Sequence, residues 1–290
     1  MSTNQHDIDH VTGIQTTGHE WDGIKELNKP LPRWWVWTLW ACVVWSIAYW
    51  IAYPAWPTMA GYTQGMLGYS QRQRVMDEVA AGKAAQGELV EKIKLASLAD
   101  IEKTPDLLNF AVAGGRAVFG DNCAGCHGRG AEGRAGFPNL NDDDWLWGGT
   151  LDDIHKTIEV GVRSTHADTR QNQMPRFGID GLLEPAQIND VAEYVVSLSD
   201  KAGDAAAAER GKAIFAEQCV ACHGEDAKGK LDMGGPNLTD KIWLYGGSKE
   251  TILETLRAGR GGVMPTWSGR LDPTTIKQLA VYVHSLGGGK

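Results

Sequence analysis

Cysteine is scarce in this chain, five among 290 residues, and four of the five belong to two short repeated motifs, so no disulfide framework is available. Cations are outnumbered as well: 28 Lys and Arg stand against 36 Asp and Glu, a net charge of -8. That balance excludes the basic surface a nucleic-acid-binding protein needs. With 42% of its residues hydrophobic the chain is also far from the composition of a disordered protein. Uncharged runs long enough to cross a bilayer are limited to one, which excludes a polytopic membrane protein.

What is present is a duplication. CAGCH runs from Cys123 to His127 and CVACH from Cys219 to His223. In each, the two thiols (Cys123 and Cys126, Cys219 and Cys222) are spaced to form thioether bonds to one haem, with His127 or His223 beside the iron as an axial ligand. A zinc site would need four ligands from a closed set at each motif, and the matching contexts argue against it. Gly115, Ala117 and Phe119 recur as Gly211, Ala213 and Phe215, and Pro138-Asn139-Leu140 recurs as Pro236-Asn237-Leu238. Trp145, Trp147, Gly148 and Gly149 correspond to Trp243, Tyr245, Gly246 and Gly247. Met174-Pro175 matches Met264-Pro265, Leu183-Glu184-Pro185 with Ile188 matches Leu271-Asp272-Pro273 with Ile276, and Tyr194-Val195 matches Tyr282-Val283 on closing amphipathic helices. One module has been copied.

A thioether is a soft, neutral ligand that raises the reduction potential of haem iron. Met174 and Met264 are therefore the sixth ligands expected. Met233 competes in the second module, but it lies in a Gly-rich stretch without a counterpart in the first. Each Met most simply serves the haem of its own module, and a crossed assignment stays open. His and Met together leave no vacant position on iron, so the chain should transfer electrons and perform no chemistry on small molecules. A dihaem peroxidase is disfavoured for the same reason.

From Trp34 to Tyr53 there are twenty residues without a charge, enough for about 30 Å of helix, the thickness of a bilayer core. The run is long for a signal-peptide core and exits through YPAWP, so it reads as an uncleaved anchor. Lys25, Lys29 and Arg33 precede it and no Lys or Arg follows until Arg72, which puts the N-terminus in the cytoplasm and the rest outside. Trp34, Trp35, Tyr53 and Trp56 would lie near the two interfaces. Ala41, Ala48 and Ala52, with Trp45 among them, form a small-residue stripe on which a partner's helix could dock. Cys42 reads as a buried small hydrophobe within the run. The reading is all-α: a cytoplasmic segment at 1–33, a transmembrane helix at 34–53, a connecting segment at 54–109, two tandem class I cytochrome c domains at 110–199 and 209–290, and a linker at 200–208. Within the connecting segment MAGYTQGMLGYSQR reads as non-helical, and Arg72 to Leu98 as one or two amphipathic helices interrupted near Gly82 and Gly87.

Each module resembles the mono-haem cytochromes c, and that resemblance implies that the carbonyls of Pro138 and Pro236 accept the second ring N–H of the ligating histidines. The whole chain has a more specific likeness. HEWDGIKELNKPLPRWW (His19 to Trp35), the single anchor, the YPAWP exit, LGYSQR and the duplicated modules together resemble the dihaem cytochrome c subunit, subunit III, of cbb3-type cytochrome c oxidases. The resemblance implies two covalent c-type haems, a bacterial inner (cell) membrane location with periplasmic haem domains, and electron delivery from a soluble or membrane cytochrome donor. It implies as partners a mono-haem cytochrome c subunit and a catalytic haem-copper subunit, in aerobic respiration and proton translocation. No histidine lies in the anchor, so the oxygen-reducing centre belongs to a partner. His6, His10 and His19 read as solvated tail residues, and His155, His166 and His284 as surface residues. Asp142, Asp143 and Asp144 could steer a basic donor or be a solvated turn.

The alternative function is a stand-alone membrane-anchored dihaem shuttle. The closed His/Met sites make a direct prediction: carbon monoxide added to the reduced, isolated protein at neutral pH leaves the haem spectrum unchanged, and substantial uptake would contradict two Met-ligated irons.

Overall fold

The computed structural model describes residues 7–199 and 203–287, and the chain falls into two compact units with the break between Ala84 and Ala85. In the first unit, β1 (Thr16–Trp21) and β2 (Ile24–Leu27) form an antiparallel hairpin. Asp22 and Gly23 turn it with φ of 49° and 85°, the left-handed pair that a two-residue hairpin loop requires. His10 and His19 are exposed, in keeping with solvated residues; His6 lies outside the described residues. Helix α1 (Arg33–Ala52) follows with none of its residues buried. Its last carbonyls are capped when the chain folds back: Ile51 and Ala52 accept from the N–H groups of Met66 and Leu67 at 2.9 and 3.0 Å. That meets the demand every helix C-terminus makes. The returning segment is a short hairpin, β3 (Pro57–Thr58) with β4 (Gly61–Tyr62).

Helix α2 (Gln71–Leu95) is continuous, where Gly82 and Gly87 had suggested a break. Each glycine costs about 1 kcal/mol relative to alanine. Neighbouring alanines and the i,i+4 pairs Arg74–Glu78 and Glu88–Lys92 offset part of that, at roughly 0.2–0.5 kcal/mol per pair.

The second unit contains α3 (Leu98–Lys103), α4 (Pro105–Asn122), α5 (Ala124–His127), α6 (Leu151–Val160), α7 (Pro185–Ser199), α8 (Ala205–Gln218), α9 (Val220–His223), α10 (Lys249–Ala258) and α11 (Pro273–His284). Side chains of Ser97, Thr150, Asp204, Ser248 and Asp272 cap five of these N-termini.

The two repeats do not each close a core, as the simplest reading of the duplication expects; they exchange their C-terminal portions. α11, from the second repeat, packs on α4 and α6 of the first, while α7, from the first, packs on α8 and α10 of the second. One core joins Phe119, Ile154 and Ile158 to Ile276, Leu279 and Val283. The other joins Val191 and Val195 to Phe215, Ile252 and Leu256. The connection between Ser199 and Ala205 is short, which favours α7 and α8 as antiparallel neighbours. Charges hold α7 to both neighbours: Arg210 of α8 forks onto Asp190 at 2.8 and 2.7 Å, and Lys249 of α10 reaches the buried Glu193 at 2.6 Å. At the position equivalent to Glu193, α11 has Val281, buried in an extra cluster with Ile93, Ile101, Leu107 and Ala111. Lys277 Nζ donates to the carbonyls of Lys94 and Ala96 at 3.0 and 2.7 Å, tying the end of α2 to the first core. His284, expected at the surface, is partly exposed and pairs with Glu102 of α3 at 3.1 Å.

Glycine is required where the helices cross. A Cβ on Gly115 would fall on the Gln278 carbonyl oxygen of α11, and one on Gly211 on the Asp190 carbonyl oxygen of α7. The acidic triplet is only partly a solvated turn. Burial first, then the charges of Asp240 and Asp142, push the Asp144 carboxyl up to about 6, and Asp240 is the second-repeat counterpart of Asp142.

Two outcomes follow. Gly211→Ala should lower the thermal midpoint by an amount corresponding to about 1–3 kcal/mol. Gly120→Ala, where a Cβ meets nothing within 4 Å, should be neutral or stabilising by up to about 1 kcal/mol. For Asp144, a folded-state pKa of about 6 against an ordinary 3.8 means its protonated form favours folding below 3.8 and that benefit disappears as pH rises through 6. Asp144→Asn should therefore flatten the fall in melting temperature between pH 4 and 7 and raise the midpoint at pH 7.

Candidate haem centres

Each CxxCH forms one turn of helix, α5 or α9, entered directly from the preceding long helix at Cys123 or Cys219. The turn ends at Gly128 or Gly224, with φ of 83° or 78°, and the loop beyond is the same in both repeats. His127 O accepts from Gly133 N at 2.7 Å, as His223 O does from Gly229 N. Ala131 and Ala227 are both buried and both left-handed, with φ of 63° and 58°, and each carbonyl accepts from the leucine of the Pro-Asn-Leu loop at 2.8 Å. A non-glycine held at positive φ in both copies is strain kept by the surrounding structure.

That loop brings the proline carbonyls to the histidines. His127 Nδ1 lies 3.0 Å from Pro138 O, and His223 Nδ1 lies 3.0 Å from Pro236 O. A ring that donates through Nδ1 is fixed in orientation and presents Nε2 to a metal. Burial lowers the pKa of both rings, against the opposing effect of the proline carbonyls, so they are neutral at pH 7, as a ligand must be. Burial, and then the neighbouring Cys126 or Cys222, pushes the Cys123 and Cys219 thiols up to about 11. Neutral, desolvated thiols suit thioethers better than a thiolate cage for zinc.

The methionines arrive from opposite repeats. Met264 packs among Phe119, Leu140 and Trp145, on the side of His127, and Met174 among Phe215, Leu238 and Trp243, on the side of His223. The backbone explains how. Met264 exchanges hydrogen bonds with Val162, N to O at 3.0 Å and back at 2.9 Å, passing over Gly161 at the end of α6. Met174 N donates to Arg260 O at 3.1 Å, and Met174 O lies over Gly259 at the end of α10. Met233 stays in the loop before Pro236, where its carbonyl accepts from Asn172 Nδ2, and it is not among the side chains packed on either core.

The pockets suit a haem on further counts. Trp145 Nε1 is buried and, among the described residues, has no acceptor; a propionate carboxylate would provide one. Phe119 and Phe215 lie 6.5 and 6.3 Å from the His127 and His223 rings, lining each site with apolar surface. Arg170 and Arg260, each four residues before its methionine, bond Thr157 and Thr255 and lie over the rings of Trp147 and Tyr245 at 5.3 and 4.8 Å. Reading the motifs alone missed this arginine pair, although aligning the repeats on Met-Pro reveals it.

Comparison with known proteins agrees with this architecture. Residues 13–60 match the family model for the N-terminal domain of cytochrome oxidase-cbb3, FixP, residues 112–199 match cytochrome c, and residues 206–283 match cytochrome c oxidase, cbb3-type, subunit III. The cbb3-type cytochrome c oxidase subunit FixP of a Bradyrhizobium species is 60% identical over 98% of both chains. Subunit CcoP of Azospirillum brasilense is 53% identical over 99% of both, and that of Cereibacter sphaeroides 50% identical over 95% of both. These likenesses run from the anchor through both haem motifs. The chain therefore belongs to the FixP/CcoP family, the dihaem cytochrome c subunits of cbb3-type cytochrome c oxidases, anchored in a membrane by α1 and carrying two covalent c-type haems.

Proposed function

We propose that this chain is the electron-receiving relay of its oxidase, holding two haems whose axial ligands are crossed between the repeats: His127 with Met264, and His223 with Met174. The bound haem irons supply reversible one-electron chemistry. The protein's own part is to attach them through Cys123 and Cys126, and through Cys219 and Cys222, and to keep each iron closed. Pro138 and Pro236 orient the histidines, the methionines would supply the second protein ligand of each iron, and the aromatic walls would exclude water.

The observation that carries this reading is the packing of each methionine in the core built on the other repeat's haem motif: Met264 with Phe119 and Cys123 beside His127, and Met174 with Phe215 and Cys219 beside His223. Crossing also supports exchange between the haems, because the same two paired strands would carry a ligand to each centre. The flanking cations Lys25, Lys29 and Arg33 support a cytoplasmic N-terminus, and hence periplasmic haems that meet a cytochrome donor there. The partners on the delivery side are then a mono-haem cytochrome c subunit and the haem-copper subunit in which oxygen is reduced.

Single-haem variants test the crossed ligation. In a chain retaining only the haem at Cys123 and Cys126, with Cys219 and Cys222 replaced by alanine, Met264→His should abolish the methionine-to-iron charge-transfer band and lower the potential, with about 59 mV for each tenfold change in the redox equilibrium. Met174→His should leave both unchanged. The reverse pattern would establish ligation within each repeat.

A further inference from the structure

The two repeats differ in length just before the methionines. From Gly161 to Met174 the chain is eight residues longer than from Gly259 to Met264. With Arg170 aligned on Arg260, the extra residues are Val162 to Thr169. This insertion has no equivalent in the second repeat, so what it contributes is not part of the duplicated haem pocket.

Its second residue stands between the two crossing strands. The first repeat leaves its own pocket after Arg170 and crosses through Gln171, Asn172 and Gln173 to Met174; the second leaves after Arg260 and crosses through Gly261, Gly262 and Val263 to Met264. Arg163 Nε donates to Gly262 O at 2.6 Å, and Arg163 Nη1 donates to Asn172 O. One guanidinium thus bonds the middle of both crossing strands, two residues from each methionine. Backbone bonds hold the same point: Val162 pairs with Met264, and Arg163 N donates to Arg170 O at 2.7 Å. Arg163 itself has φ of 50°, an uncommon conformation for a residue with a long side chain. The side chain is half-buried. Beyond its bond to Arg163, Asn172 reaches Met233 O and Cys222 Sγ in the second haem loop, so the strand fixed by Arg163 is also fixed to a haem-bearing thiol.

We infer that Arg163 is a positioning residue for both haem sites at once: its planar fork clamps the two crossing strands, sets the seating of both methionine sulfurs, and keeps one fixed positive charge between the strands that carry them. This rests on the crossed ligation proposed above. A guanidinium can bond two carbonyls in one plane and stays charged, whereas a lysine ammonium supplies the charge without the fork. A positive charge near a haem favours the reduced state, and a firm Met–iron bond acts in the same direction. Loss of Arg163 therefore lowers both potentials together.

The test uses the full-length dihaem chain in its purified oxidase complex. In Arg163→Gln, redox titration should show both c haems shifted at least tenfold towards the oxidised form, about 59 mV each, with both methionine charge-transfer bands weakened. Arg163→Lys retains the charge, so both bands should weaken in parallel while both potentials fall by less than in the glutamine variant. If the glutamine variant does not incorporate haem, the lysine variant alone decides. A change confined to one haem, or none at either, overturns the clamp. The Met→His experiment in single-haem variants reports on the crossing without involving Arg163, so failure of the ligation and failure of the clamp are read separately.

Discussion

The structure of the haem-bearing unit depends on two strands that exchange sides. Each passes over the glycine ending a pocket helix, Gly161 or Gly259, and delivers its methionine into a pocket built by the other repeat. Exchange of α7 and α11 is the same event continued: once a strand has crossed, the closing helix after it can bury its apolar face only on the far core. Gly115 and Gly211 admit those helices at contact distance. Neither repeat has a complete core of its own, so both haem centres depend on one cooperative body.

The duplication is close to symmetric where the chemistry is and departs from symmetry where the surroundings differ. The His–Pro contacts, the left-handed alanines and the aromatic walls recur almost bond for bond. Glu193 and Val281 occupy equivalent positions on the closing helices. The first meets Lys249, whereas the second is buried beneath α3 and the end of α2. The Arg163 insertion is the other departure, placed where both crossing strands can be bonded by one side chain.

Much of the site was legible in the chain. CxxCH dictates its own chemistry because its spacing is set by the haem it attaches to. Phe119, Phe215, Met174 and Met264 were found by repetition, and the apolar run from Trp34 gave the anchor to within a residue of α1. Other features were not legible for physical reasons. The Asp22-Gly23 hairpin lies in a stretch with weak alternation. The continuity of α2 through two glycines depends on alanines and ion pairs that offset part of a local cost, and Asp144 owes its elevated pKa to burial first and then to Asp240, almost a hundred residues away.

By itself, the sequence determined the haem number and the anchor and singled out the candidate cysteines and ligands, because each is encoded in short-range spacing or in an unbroken run. Which methionine faces which histidine was decided only by tertiary structure. Two copies of one module carry the same pattern on every interacting surface, so own-repeat and crossed packing are nearly equivalent to any local reading. What separates them is not local: the short connection between α7 and α8, the ion pairs of Asp190 and Glu193 with Arg210 and Lys249, and the bonds from Arg163 to both strands.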